Sequence, residues 1–274
     1  MASLELKENV REYWEKEVCG SRYATEIDQN RREYFAQIEK TRYEQDYMLR
    51  DFARFAEGRD KKVLEVGLGT GTDLVQWARA GAITFGRDLT QASVDLVQER
   101  LAVEGLHADV AVGDAEALEF PNDFFDIYYS WGVLHHTPDT EGAISEALRV
   151  LKPGGKLRIM LYHSPSVAAY LVWLLYGPLR LRWISPRRAC ADHIESAGTK
   201  VYSRSEAERL VAKYFSKPIT VQTYLGSGDL LTQRVSSKYQ GLKWRLILKL
   251  YPRWFVRNIL GHRFGGVMTI EATK

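Results

Sequence analysis

The run Lys62-Val63-Leu64-Glu65-Val66-Gly67-Leu68-Gly69-Thr70-Gly71-Thr72 constrains the fold more than any other stretch of the chain. Its β-branched and aliphatic start suits a strand buried on both faces, as in a parallel sheet. An acidic residue follows, then glycines on alternate positions. A glycine backbone, lacking Cβ, can turn sharply and lie against a ligand. The amides that open the next helix, near Thr72 and Asp73, would offer donors to an anion such as a ligand carboxylate. A nucleotide-type site at the end of a first strand is therefore expected.

The spacing narrows the choice of nucleotide. A dinucleotide fingerprint places its third glycine three positions after the second. Here Gly71 comes two after Gly69, and the fingerprint position holds Thr72. No phosphate-cradling G-x-x-x-x-G-K-[ST] occurs in the chain. Downstream, Ile83 to Asp88 reads as a second strand, its acid on the order of 20 residues past the glycines, where a βαβ unit brings a carboxylate to ribose hydroxyls. Val110 to Glu116 reads as a third strand containing Asp114, and Phe125 to Ser130 as a fourth. Lys156 to Tyr162 is a fifth, after the turn Lys152-Pro153-Gly154-Gly155. Helices over Asp73 to Ala80, Gln91 to Glu104 and Thr140 to Leu151 fill the gaps. Such alternation argues for a parallel sheet with right-handed crossovers and a ligand at the carboxyl ends of the strands.

With Phe125-Asp126-Ile127-Tyr128-Tyr129-Ser130, Val133-Leu134-His135-His136-Thr137-Pro138-Asp139 and Arg149-Val150-Leu151-Lys152-Pro153-Gly154-Gly155, residues 60–163 carry four motifs in order. Together they resemble the class I S-adenosylmethionine-dependent methyltransferases that act on small molecules, of the methyltransferase type 11 kind. The resemblance implies an α/β fold: a Rossmann-like, seven-stranded, doubly wound sheet with an antiparallel seventh strand. It implies S-adenosylmethionine as cofactor and S-adenosylhomocysteine as product. Glu65, Gly67, Gly69 and Gly71 would bound the methionine end. Asp88 would accept from the ribose hydroxyls, Leu89 pack on the adenine, and Asp114 accept from the adenine amino group with Ala115 beside it. Ser130 and Trp131 would line the pocket. The plain alternatives are that Asp88 and Asp114 cap the helices after them and that Trp131 is core.

Composition agrees with a soluble globular protein: 274 residues, 45% hydrophobic and 27% charged. A net charge of +3 is too small to imply nucleic acid binding. The six histidines show no metal-ligand spacing, so no metal is expected, and Cys19 and Cys190 form no redox motif. With neither an apolar signal core nor a long apolar run, a cytoplasmic location is expected.

The remaining chain should select the substrate. Residues 1–60 read as a helical lid, with helices over Glu5 to Val18 and Asn30 to Phe55 and a break at Cys19-Gly20-Ser21. Tyr13, Trp14 and Tyr23, near that break, are candidates to close over a substrate. Residues 61–163 form the cofactor-binding core. A cap insertion spans 164–203, with an apolar helix-like run from Ala168 to Tyr176 and a basic stretch from Arg180 to Arg188. Residues 204–225 hold a helix, with Ser203 as N-cap, and the sixth strand. A second insertion, 226–264, includes Lys243 to Tyr251, and the seventh strand lies within 265–274. The two insertions are expected to pack together as a cap over the carboxyl edge of the sheet. Its apolar and basic surface leaves contact with a membrane and self-association both open.

The chemistry expected is in-line displacement of the sulfonium methyl by a small apolar or aromatic acceptor, with oxygen or nitrogen favoured as the acceptor atom. His135 and His136, after the fourth strand, are candidate bases because a histidine titrates near neutrality. Tyr162 and His163 are further candidates by position. A non-methylating protein that binds the same cofactor, or a nicotinamide-dependent oxidoreductase, are the competing readings.

Overall fold

The computed structural model describes residues 2–24, 30–196, 198–232 and 249–274. Seven strands form one sheet: β1 (Lys62–Val66), β2 (Ile83–Asp88), β3 (Asp109–Val112), β4 (Phe125–Trp131), β5 (Leu151–Tyr162), β6 (Ser216–Tyr224) and β7 (Val267–Thr273). Their order is β3-β2-β1-β4-β5-β7-β6. The first five run parallel, and β7 lies antiparallel between β5 and β6. The reversal of order at β1 and β4 opens the crevice where ligands bind such sheets.

Period-two alternation divides the strand residues between two cores. Leu64, Tyr128, Leu157 and Ile159 face one cluster, against α6 (Thr140–Val150) and α9 (Arg204–Ala212). Val63, Ile127, Tyr129 and Met160 face the other, with Met48, Leu49 and Phe52. Burial on both faces is why these strands read as continuous apolar runs rather than alternating ones.

Helices precede and link the strands: α1 (Ala2–Lys16), α2 (Arg31–Gln45), α3 (Leu49–Ala53), α4 (Thr72–Arg79) and α5 (Gln91–Glu104). The expected single helix over residues 30–55 is two, because the chain turns at Asp46, whose amide still donates to Arg42 O while its ψ leaves the helical range. The third strand ends at Val112, not Glu116, since Asp114 turns the chain by accepting from the Glu116 amide at 2.9 Å. The turn at 152–155 lies inside β5 as an irregularity: Leu151 pairs with Phe125 and Lys156 with Ile127. Ser203 caps α9 in a full capping box with Glu206. Thr90, not Asp88, caps α5.

After β5 come α7 (Val167–Tyr176) and α8 (Pro186–His193), and after β6 the short α10 (Ser227–Leu230). The run 243–248 of the second insertion lies outside the described residues. The described parts of the two insertions do meet. Leu225, Leu230 and Val256 pack with Val167, Tyr251 and Leu260. Asp229 joins them by accepting from the amides of Ala168 (2.9 Å), Gly226 (2.8 Å) and Gly266 (2.7 Å). Among the described residues no helix is long and apolar enough to cross a membrane.

Candidate functional site

A cavity of about 510 Å³ lies at the carboxyl ends of β1, β2, β4 and β5, under α1 and the cap. Its floor is the loop after β1. Gly67 has φ +80, and a Cβ there would meet Val133 Cγ2 at 2.1 Å, so only glycine fits. Gly71, at φ +68, packs instead against Val97 of α5 and does not reach the cavity.

The Asp88 carboxylate is nearly buried and accepts four hydrogen bonds. Leu68 N (2.7 Å) and Gly69 N (3.3 Å) bond one oxygen; Thr90 N (3.0 Å) and Thr90 Oγ1 (2.7 Å) bond the other. Asp88 therefore ties the glycine loop to the start of α5 and borders the cavity with Leu89, Thr90 and Ser93. Asp114 and Ala115 line the wall beyond β3.

Above this floor lies α1. Lys7, Val10 and Trp14, spaced three and four apart, turn one helix face to the cavity. Lys7 Nζ pairs with Asp114 (2.6 Å) and Glu116 (2.5 Å). Glu15 accepts from Gln91 N and Ala92 N, both at 3.0 Å, so its carboxylate sits on the positive end of α5. Tyr23 also lines the cavity, whereas Tyr13 does not border it and packs edge-on to Trp14.

A second polar group comes from α2. Arg42 pairs with Asp73 at 2.7 Å, and Asp73 also accepts from Tyr43 OH and Tyr129 OH, each at 3.0 Å. Burial pushes the Asp46 carboxyl up to about 6 despite Arg42 nearby, with the Trp131 side chain as a hydrogen-bond partner. Arg42, Asp46, Asp73 and Trp131 all border the cavity. Glu65 lies behind it. Burial, reinforced by the Asp73 charge, holds its carboxyl well above the usual range, and Oε2 has no hydrogen-bond partner among the described residues.

At the far end the two histidines part. His135 is wholly buried, its ring tilted against Tyr162 with centroids 4.0 Å apart, and burial holds its imidazole well below the ordinary value. It does not reach the cavity. His136 does, with Trp14 edge-on at 5.6 Å. Its Nδ1 lies 2.9 Å from Ser196 Oγ and 3.0 Å from Thr199 Oγ1; Nε2 lies 3.2 Å from Glu195 Oε2. Tyr162 OH donates to the same Glu195 oxygen at 2.9 Å. His163 lines the cavity while its Nδ1 contacts Gly265 O at 2.8 Å. Beyond them Ala168, Leu171, Val172 and Leu175 of α7, with Ile194, Val201 and Leu231, make an apolar wall.

Of the expected residues, Gly67, Gly69, Asp88, Leu89, Asp114, Ala115, Trp131, Trp14, Tyr23, His136, Tyr162 and His163 share this cavity. Glu65, Gly71, Ser130, Tyr13 and His135 do not border it. The Ser130 hydroxyl points into the sheet, donating to Val66 O at 2.9 Å. Lys7, Arg42, Asp46 and Glu195 escaped the sequence reading. Arg42 and Asp46 had a weak signal, an i,i+4 pair in an aromatic-rich helix; Glu195, in an irregular segment, had none.

Residues 64–159 match the family model described as a methyltransferase domain. A ubiquinone/menaquinone biosynthesis C-methyltransferase of Burkholderia vietnamiensis is 26% identical over 183 residues, 65% of this chain and 75% of that protein. The chloroplastic 2-methyl-6-phytyl-1,4-hydroquinone methyltransferase of Arabidopsis thaliana is 33% identical over 43% of this chain, which spans only 36% of that relative. Among solved structures, the geranyl diphosphate C-methyltransferase of Streptomyces coelicolor, in complex with Mg2+, geranyl diphosphate and S-adenosyl-L-homocysteine, superposes with a TM-score of 0.62. That likeness covers 98% of this chain and 97% of the other at 17% identity, and it speaks for the fold.

Proposed function

We propose that this chain is a class I S-adenosylmethionine-dependent methyltransferase, as the match of residues 64–159 to a methyltransferase domain supports, and that it methylates a small apolar acceptor carrying an aromatic or otherwise ionisable head, held between the sheet edge and the cap. The cofactor is S-adenosylmethionine. When bound, it supplies an already activated methyl group, so the protein's task is to align the acceptor and exclude water.

The residues fit that cofactor. The loop backbone at Gly67 and Gly69 and the guanidinium of Arg42 suit the amino acid head, with Glu65 behind the loop. Asp88 takes the ribose, sharing oxygens that already hold the loop. Asp114 takes the adenine amino group, with Lys7 as its competitor. Trp14 and Tyr23 close the roof.

One observation carries the acceptor class: the cavity that begins at the glycine loop continues without a break into the apolar wall of α7. A cleft lined mainly by aliphatic side chains, with a few polar groups at one end, orients an amphipathic ligand. Oxygen and nitrogen were the favoured acceptor atoms on sequence grounds. The names of the relatives, two of them C-methyltransferases and one a hydroquinone methyltransferase, favour a ring or chain carbon as well. Incubating the protein with methyl-labelled cofactor and a panel of phenols, hydroquinones, amines and prenyl compounds tests this. Gain of one methyl by apolar members supports the reading; transfer confined to highly polar acceptors contradicts it. Locating the methyl in the product assigns the atom.

For the cap's outer surface we propose contact with a membrane, the cytoplasmic location being part of the same proposal. Trp183 and Leu181 are 102% and 90% exposed beside Arg180 and Arg182, and Trp254 is 70% exposed near Arg257. Apolar residues flanked by arginines suit an anionic bilayer surface. Co-sedimentation with anionic vesicles but not with neutral ones would support this; equal recovery in both supernatants would exclude it.

A further inference from the structure

Glu195 stands where no motif would put it, and its backbone is unusual. At φ +52 it occupies the left-handed region, sparsely used by residues other than glycine and often found at functional positions. The cap's return segment is held against the loop after β4: Lys200 N donates to His135 O at 3.0 Å, and Lys200 Nζ to Pro138 O at 3.1 Å. This anchoring aims the Glu195 carboxylate into the cavity, between the floor contributed by Trp131 and Met160 and the apolar wall contributed by α7.

The partners of that carboxylate define its state. The Thr199 hydroxyl donates to Ser196 O at 2.7 Å, which leaves the Ser196 hydroxyl, 2.9 Å away, as the one able to donate to His136 Nδ1. His136 Nε2 lies 3.2 Å from Glu195 Oε2. Burial raises the Glu195 carboxyl, but His136 and the Tyr162 hydroxyl outweigh it, so the group is held below its ordinary value. Both contacts fall on Oε2. No hydrogen bond reaches Oε1 among the described residues, which leaves that oxygen for an acceptor. Tyr13, Cys19, Tyr23 and Asp46 are the other titratable groups close enough to feel its charge.

We propose that Glu195, backed by His136 and Tyr162, is the catalytic base, and that it takes the proton of a hydroxyl on the acceptor's head group. The inference rests on the methyl-transfer reading above. The O–H bond breaks and its proton passes to Glu195, leaving the electron pair on the acceptor. That pair, at oxygen or delocalised to a ring carbon, forms the new bond to the methyl carbon as the carbon–sulfur bond breaks with its pair remaining on sulfur. One proton is released overall; in carbon methylation the ring proton leaves and the hydroxyl is restored. His136 is a positioning residue that spreads the charge. A well-placed base contributes about 10²- to 10⁴-fold in rate. Because Glu195 comes from the cap, the base exists only while the cap is seated, which couples acceptor enclosure to activation.

The test uses 4-nitrophenol as methyl acceptor, with the full chain saturated in S-adenosylmethionine, and follows the loss of phenolate absorbance as the hydroxyl is methylated. Glu195→Gln, which keeps an acceptor for Tyr162, should bind S-adenosylhomocysteine within about threefold of wild type. Its turnover of the probe should fall at least about tenfold at a pH below the probe's own pKa and by less above it, where the probe arrives already deprotonated. No methylation of the probe by the wild type, or an equal rate in the variant at both pH values, would overturn the proposal. Failure of the wild type to bind S-adenosylhomocysteine would instead overturn the methyltransferase reading on which it stands.

Discussion

At Asp88 the two oxygens already accept from Leu68 N, Gly69 N, Thr90 N and Thr90 Oγ1, so a ribose bound there as proposed would share the carboxylate with the loop. Asp88→Ala should therefore do two things. Loss of charge-assisted hydrogen bonds, each about 1.5–3 kcal/mol, should weaken S-adenosylhomocysteine binding about 10- to 100-fold. The freed amides should also lower the melting temperature of the ligand-free protein; calorimetry and thermal unfolding read the two effects separately. Unchanged affinity would show that Asp88 serves the loop alone.

Asp46 offers a pH-dependent counterpart. Its carboxyl is raised in the folded protein to about 6, above the ordinary 3.8. The folded state thus binds its proton more readily than the unfolded chain, and this residue's contribution to stability falls as pH rises from about 3.8 through about 6. The loss is up to about 3 kcal/mol. Asp46→Asn should remove that part of the slope, so that the variant gains on wild type in thermal unfolding from pH 4 to pH 7. Parallel curves would mean that Asp46 is not raised.

At the scale of elements, α1 is held by its ends. Lys7 grips Asp114 and Glu116, and Glu15 covers the start of α5. Since a capping carboxylate contributes about 1 kcal/mol, Glu15→Ala should speed amide exchange through residues 2–16 and raise the off-rate of S-adenosylhomocysteine several-fold. The exchange of the sheet should not change. If α1 exchanged as slowly as before, the contact would not govern lid opening.

The strands were the most legible elements, because burial on both faces writes itself as apolar runs ending in Glu65, Asp88 and Ser130. Less legible was the break in the 30–55 helix, where no glycine or proline marks Asp46 and only tertiary contacts turn the chain. Adjacent histidines could not be told apart in sequence either. The turn after β4 puts one ring inside the core and the next one in the cavity. Glu195 was invisible for a related reason: its place depends on Lys200, Ser196 and Thr199 meeting the β4 loop about 60 positions earlier.

Across the whole molecule, the sheet edge proposed to hold the methyl donor is joined to insertions proposed to shape the acceptor end. Asp229 is the joint, accepting from three backbone amides contributed by α7, the end of β6 and the start of β7. Asp229→Ala strands those buried donors and should destabilise the cap by roughly 3–5 kcal/mol, with Asp229→Asn recovering part of it. Proteolysis should then open residues 164–203, while binding of S-adenosylhomocysteine stays within about threefold of wild type. Loss of cofactor affinity together with cap stability would mean that the two halves are not separable. The carboxyl-edge location of the site could be read from strand order alone, whereas the acceptor end could not, since no motif describes an insertion.

The central claim is that this cavity belongs to a methyl donor, and calorimetric titration of the purified protein with S-adenosylhomocysteine, with NADH and NADPH as controls, tests it most directly. Micromolar binding of S-adenosylhomocysteine at one site per chain, and none of either nicotinamide, is expected. Absence of that binding, or preference for a nicotinamide, would contradict it and leave only the fold.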